Sequence, residues 1–295
     1  MPTSHLSDRG VVRVAGEDAK SFLDGLVTCD IDRVTPEAPR FGALLTPQGK
    51  ILFDFIVFQA PEEAGGGYCL DVLKAYAGDL AKRLGFYRLR AKVQIDDRSD
   101  GLAVVVGWGD APLPPEDAGL IAPDPRLPEL GWRAIVAASD AHEWAGVPPE
   151  AYDAYRIALG VPEGGRDFLF GDAFPHEAVM DQLRGVDFDK GCYVGQEVVS
   201  RMQHRGTART RLVPAIYPGG AVPEAGVDVT AGDKALGKTG TAAQGRGLLM
   251  IRLDRAADAL AAGTEIAAGG VPATLAKPDW ARFAFPGEGP TQEAS

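Results

Sequence analysis

The stretch DFDKGCYVGQEVVSRMQHRGTARTR (187–211) gathers more reactive chemistry than any other part of the chain. Cys192 is flanked by Gly191 and Tyr193, with Lys190 two residues before it and Gln196-Glu197 just beyond. Apolar residues at 193, 194, 198, 199 and 202 recur at helical spacing. They predict an amphipathic helix that starts near Gly195 and runs to about Arg205, where Gly206 ends it. Cys192 then stands just upstream of a helix N-terminus, where the dipole and Lys190 both favour the thiolate. Asp187, Asp189 and Glu197 pull the other way, so residue types alone do not sign the shift. A nucleophilic cysteine also wants a base. His204 lies roughly ten residues up the helix, about 15 Å away, and His176 reaches the thiol only through the fold. The competing reading is an inert thiol, since free cysteine is among the most buried residue types. For Cys29 and Cys69 that plain reading is the expected one.

Arg201, Arg205, Arg209 and Arg211 form a strong basic concentration. Arg201 and Arg205 are one helical turn apart, a spacing that suits a carboxylate or phosphate and equally a solvated helix face. Tyr152 and Arg156 repeat that spacing, an aromatic face and a guanidinium able to hold a planar heterocycle with an acidic tail. Glu177, in FPHEA, follows a proline among apolar residues; held there it could accept two donors from an aminopyrimidine-type ring, or simply face water. No G-x-G-x-x-G follows a strand and no G-x-x-x-x-G-K-[ST] occurs, which excludes a dinucleotide fold and a P-loop.

These groups need a scaffold, and the pattern around them predicts one. Strands are expected at 10–16, 67–72, 90–97, 101–108 and 132–138, and a hairpin over 41–59 turns at Pro47-Gln48-Gly49. Helices are expected at 17–28, 74–87 and 148–160, the last with proline at its start and glycine at its end. Residues 109–131 hold six prolines and read as a loop or a seam between subdomains. After Arg209 short strands separated by Gly and Pro predict a small β-barrel or sandwich. The last residues, 286–295, read as a disordered tail.

The chain has 295 residues, 45% of them apolar, and a formal net charge of −11. That charge argues against a protein that coats nucleic acid or an anionic membrane, so direct nucleic-acid binding is not expected. Three scattered cysteines without a C-x-x-C predict reduced thiols, not a disulfide framework or a protein-only metal site. No apolar run reaches spanning length. The start, MPTSHLSDRG, has neither a secretory nor a transit-peptide pattern, so the expected compartment is cytoplasmic.

The octapeptide KGCYVGQE (190–197) resembles the K-G-C-Y-x-G-Q-E signature of the YgfZ family. Collinear landmarks extend the likeness over about residues 6–285: GEDAKSFLDGLVTCDI (16–31), LLTPQGKILFDF (44–55), YRLRAKVQI (87–95), YRIALGVP (155–162) and FPHEA (174–178). The resemblance implies an α+β, aminomethyltransferase-like folate-binding fold. Two intertwined α+β lobes (1–205) and a C-terminal β-barrel (206–285) would surround a central channel. It implies a tetrahydrofolate ligand, a part in assembly or repair of iron–sulfur enzymes, and through them tRNA modification. Iron–sulfur assembly factors or client enzymes are then the expected partners. Cys192 would be the functional thiol with Lys190 beside it; Tyr152, Arg156, Glu177, Tyr193, Gln196, Arg201 and Arg205 would hold the folate. The related T-protein of the glycine cleavage system resembles K-G-x-F-I-G at this segment, without the cysteine or the Gln-Glu pair. No acid in the N-terminal half matches its catalytic aspartate. A folate-dependent one-carbon transferase is therefore the alternative function, and an RNA-binding module built on the arginines a third.

Overall fold

The computed structural model describes residues 1–206 and 208–287. The chain divides into two compact units: Met1–Tyr152 with Leu183–Ser200, and Asp153–Gln182 with the described residues from Arg201 onward. The expected tail at 286–295 lies largely outside the described residues.

The first unit is built on two antiparallel sheets. Its elements are β1 (Thr3–His5), β2 (Arg9–Ala15), α1 (Ala19–Asp24), β3 (Arg40–Leu45), β4 (Ile51–Gln59), β5 (Tyr68–Leu73), α2 (Ala77–Tyr87), β6 (Gln94–Asp97), β7 (Leu102–Gly107), β8 (Gly119–Pro123) and β9 (Trp132–Ala137). The larger sheet has the order β3-β4-β5-β2-β6 and the smaller β1-β7-β9-β8. The β3–β4 hairpin turns as its sequence predicts. Gly49 adopts φ +81°, which glycine reaches without strain, and its N–H donates to the Thr46 carbonyl at 2.8 Å. Strand β4 is buried along nearly its whole length. Phe53, Phe55 and Val57 join Val12, Leu70 and Leu80 in the main core.

Two expectations need correction here. Helix α1 is shorter than the predicted 17–28, because the chain turns at Gly25 and Val27 pairs as an isolated bridge with Leu44. The proline-rich stretch 109–131 is not only loop: β8 pairs along β9 from Gly119 to Pro123. Proline lacks an N–H to donate, yet an outermost strand tolerates it because one side needs no partner.

The two sheets are joined by buried charge. Arg9 on β2 donates to Asp71 on β5 at 2.7 Å through Nε, and Arg133 on β9 bonds the same carboxylate. Arg133 also lies 3.6 Å from Asp124, which Arg126 grips at 2.7 Å. All five side chains are at most 7% exposed. Asp71 therefore bonds guanidiniums from two sheets at once, and Asp124 adds a second carboxylate beside Arg133.

The second unit continues α3 (Pro149–Ala158) into an irregular segment, and α4 (Gln196–Arg205) passes into β10 (Thr210–Ile216). Then follow β11 (Asp228–Ala231), β12 (Lys234–Ala243), β13 (Arg246–Arg252), α5 (Leu253–Ala261), β14 (Ile266–Ala268), β15 (Val271–Pro272) and β16 (Thr274–Leu275). The seven strands order as β15-β14-β11-β12-β13-β10-β16, a near-closed barrel. Val213, Val229, Leu249 and Ile251 fill it, with Ala256 and Ala259 of α5 against them. Helix α5 interrupts the expected run of short strands. Its buried side is lined by Ala256 and Ala259, small residues that mark a core-facing helix only weakly.

Replacing Asp71 by Ala leaves two buried guanidiniums without their shared counter-charge, so unfolding free energy should fall by about 3–5 kcal/mol. Urea denaturation measures it; a loss under about 1 kcal/mol would remove the ion network from the account of the fold.

Candidate functional site

The predicted helix after the cysteine is present as α4, Gln196–Arg205. The loop before it is fastened to the first unit from several sides. Thr28 donates its hydroxyl to the Gly185 carbonyl at 2.6 Å, and its own carbonyl accepts from Asp187 N–H at 2.9 Å. The Asp187 carboxylate in turn accepts from Asp30 N–H at 2.7 Å. Lys190 makes the strongest attachment. Its Nζ donates to the carbonyls of Asp24, Val27 and Cys29 at 2.7, 2.9 and 2.9 Å, and pairs with the Asp24 carboxylate at 3.0 Å.

That geometry corrects the role expected for Lys190. Its side chain is 1% exposed, and its donors point at the chain end of α1 rather than at a neighbouring thiolate. It is an anchor.

Tyr193 is the second anchor, buried to 7%, with its ring 5.5 Å from the Lys190 ammonium. Burial, aided by Asp187, pushes its hydroxyl pKa well up and keeps it neutral. Gly195 follows at φ +84°, against the hairpin turn: a Cβ there would lie 2.6 Å from the Thr46 carbonyl oxygen and 3.1 Å from Gly49 Cα. Gly49 faces Val198 in return, at 3.0 Å from where its own Cβ would be. Two separated motifs, the 47–49 turn and the 195–198 helix start, thus fit only because both carry glycine.

Between the anchors the chain bulges into solvent at Gly191 and Cys192, both exposed. The other thiols are the opposite. Cys29 and Cys69 are buried, and burial pushes their pKa values up to about 12 and about 11. They stay neutral and sealed while Cys192 meets whatever approaches.

The expected ligand residues distribute unevenly. Tyr152 is 3% exposed; its hydroxyl accepts from Arg126 at 3.2 Å and Arg133 at 3.3 Å, and its ring lies 5.5 Å from Trp108. It caps the ion network of the first unit and presents no open face for a heterocycle. Arg156 is 1% exposed and donates to Asp153 and Asp167, each at 2.8 Å. Burial alone would lower its pKa, but Asp167, Glu163 and Asp153 outweigh it and hold the guanidinium charged. Neither residue fits the ligand role expected of it, because each is already committed inside its own unit. The Asp153–Arg156 pair has a helical i, i+3 spacing visible in sequence; Asp167 and Glu163 sit in an irregular segment with no such signal.

Glu177 is half-buried, its Oε2 accepting from Phe174 N–H at 2.9 Å, and Gln196 is half-buried at the start of α4. Arg201 and Arg205 are exposed on α4, and no side-chain hydrogen bond or ion pair engages them among the described residues. Arg211 belongs to the barrel unit's interior, bound to Asp181 at 2.8 Å and lying 4.5 Å over the Phe283 ring. Arg201 and Arg205 keep the spacing for an anionic tail; Arg211 does not join them.

Comparison with known proteins places this arrangement. The model for the C-terminal β-barrel domain of CAF17 matches residues 209–283. The mitochondrial iron–sulfur cluster assembly factor IBA57 of Homo sapiens is 31% identical, with 79% of this chain and 72% of that protein covered. Its Mus musculus counterpart is 34% identical, covering 84% and 76%. A Mycosarcoma maydis homologue is 34% identical over 74% of this chain, which spans only about 58% of that protein's length. Other fungal relatives are likewise spanned to about 55–60%. The aminomethyltransferase T of the glycine cleavage system from Bartonella henselae shares the fold, with a TM-score of 0.73 at 15% identity over 96% of this chain and 87% of its own. The names of the relatives overturn the cytoplasmic expectation, since they are mitochondrial proteins. Reduced cysteines mark a reducing milieu and do not choose among compartments that share one. Among the described residues, no helix is long and apolar enough to cross a membrane.

Iodoacetamide at about pH 8 should alkylate Cys192 in the folded protein and leave Cys29 and Cys69 untouched. Peptide mass spectrometry reads this directly; modification of a buried cysteine at the rate of Cys192 would contradict the sealed arrangement.

Proposed function

The chain belongs to the IBA57 family of iron–sulfur cluster assembly factors, and we propose that it serves iron–sulfur enzymes through the Cys192 thiol. The observation that carries this reading is the contrast among thiols: one exposed on a doubly anchored loop, two sealed and neutral. A thiolate is the soft ligand that iron–sulfur clusters take, and such clusters usually take four. This chain offers one accessible thiol, so the remaining ligands come from a partner protein and the cluster is cargo in transit. Disulfide exchange within the chain is disfavoured, because the resolving thiol would have to be Cys29 or Cys69. Lys190, Tyr193, Gly195 and Gly49 position the thiol and leave its approach open. The resemblance to the YgfZ signature extends the client list to iron–sulfur enzymes of tRNA modification.

The same resemblance suggests a reduced folate as the small-molecule ligand, which when bound would supply one-carbon chemistry. Arg201 and Arg205 support the part of this reading that concerns the anionic tail. Tyr152 and Arg156 do not support the part that concerns the ring, which other side chains would have to hold. Likeness of fold to an aminomethyltransferase does not carry that enzyme's activity across.

Full-length Cys192→Ser should fold with unchanged thermal stability yet fail to restore iron–sulfur enzyme activity in cells lacking the endogenous factor. Full restoration would refute the role assigned to the thiol. For the folate, calorimetric titration with tetrahydrofolate should give weaker binding in Arg201→Glu/Arg205→Glu by about tenfold. Undiminished binding by that variant would free the arginines from this role.

A further inference from the structure

The segment YRLRAKVQI, which the proposed function leaves unused, lines a surface groove of about 720 Å³ in the first unit. Arg88, Arg90, Lys92 and Arg98 are exposed, Arg13 is half-buried, and Asp96 is the single acid among the lining residues. Five cations against one carboxylate stand out in a chain of net charge −11. Two of the five are occupied. Arg13 donates to the carbonyls of Gly65 and Gly66, and Lys92 pairs with Glu17 at 2.7 Å. The side chains of Arg88, Arg90 and Arg98 make no hydrogen bond or ion pair among the described residues.

The backbone adds a second observation. Leu89 adopts φ +40° in the tight turn closed by Ala91 N–H onto the Arg88 carbonyl at 2.7 Å. Its side chain is 91% exposed, and Phe86, on the last turn of α2, is 64% exposed. A bulky residue at positive φ is strained where glycine would sit freely. A strained leucine held out in water does nothing for folding, so its use lies in what it meets. The groove also runs beside β6, an outermost strand of the larger sheet, whose Gln94 and Asp96 line it. Such an edge leaves main-chain groups for an added strand.

We propose that this groove docks an acidic, extended segment of a partner protein, its carboxylates pairing with Arg88, Arg90 and Arg98 and an apolar side chain packing on Leu89. Charge complementarity selects an acidic partner. The projecting apolar residues and the sheet edge favour a polypeptide over a nucleic acid, whose phosphates would have no use for them. The proposal does not rest on the role of Cys192.

Fluorescence anisotropy with a short fluorescein-labelled peptide of glutamates flanking paired leucines tests it on the full chain, with an oligouridylate as the competing polyanion. The peptide should bind, and binding should weaken as salt rises. Arg88→Glu/Arg90→Glu/Arg98→Glu should bind about tenfold more weakly or worse with an unchanged melting temperature. Leu89→Gly should bind several-fold more weakly while melting at the same or a higher temperature, a combination that a merely structural leucine does not give. Absence of peptide binding, equal affinity in the triple variant or in Leu89→Gly, or tighter binding of oligouridylate would overturn the proposal.

Discussion

The ammonium of Lys190, withdrawn from water and shared among the carbonyls of Asp24, Val27 and Cys29, decides how the cysteine loop is held. A buried charge is tolerated only when its donors are satisfied. Here three carbonyls and the Asp24 carboxylate surround one tetrahedral group, which has three N–H bonds to direct. A planar guanidinium could not converge on the same points, so the position calls for lysine. The consequence reaches further than stability. The residue two positions on cannot retreat into the core, because Lys190 draws the chain inward before it and Tyr193 after it. Exposure of Cys192 is thus enforced by the burial of its neighbours.

Buried charge plays a similar organising part elsewhere, in two separate sets. Asp71 and Asp124 gather Arg9, Arg133 and Arg126 in the first unit. Asp153, Asp167 and Glu163 gather Arg156 and Arg166 in the second. Such sets contribute little net stability compared with apolar packing, but they punish misregister, since any slip strands a charge. Tyr152 and Arg156, one turn apart on α3, each belong to one of these sets. Their spacing has the look of a ligand pair, yet its purpose is to place one residue in each network.

That pair shows where sequence reasoning reaches its limit. The hairpin at 47–49, the start of α4 and the strand pattern after Arg209 are local signals, set by φ at glycine, helical period and alternation. They could be read directly. The octapeptide was legible because its residues are contiguous, and it led to the right family. What stayed hidden depends on distant partners. Lys190 finds carbonyls more than 160 residues away, and carbonyls carry no signature in residue type. Asp167 lies in an irregular segment, so nothing marked it as the counter-charge of Arg156. Strand β8 was masked by prolines that only an outermost strand accepts, and α5 because its buried face is lined by alanine, a weak marker of burial. Compartment was misjudged for a different reason: reduced thiols are shared by several compartments, and the first residues of a sequence that spans only part of its relatives do not decide among them.

A protein that exposes one thiol cannot retain a cluster by one sulfur bond alone, and this asymmetry bears on what the rest of the surface would have to do. Under the proposed role the other ligands would arrive on a partner, and the lifetime of the shared state would follow from protein–protein contacts as much as from iron–sulfur bonds. A second contact remote from the metal raises the effective concentration of the partner's thiols without adding any ligand. It also allows release, because a salt-sensitive contact dissociates faster than a large apolar interface. The basic groove shares no residue with the cysteine loop and belongs to the same compact unit. Its surplus of cations is concentrated while the chain as a whole is acidic, which repels indiscriminate polyanions at long range and still admits a short acidic segment at close range. If the thiol serves as proposed, holding cargo briefly and passing it on would need that division of labour: a poor chelate at the thiol, and selectivity placed somewhere else.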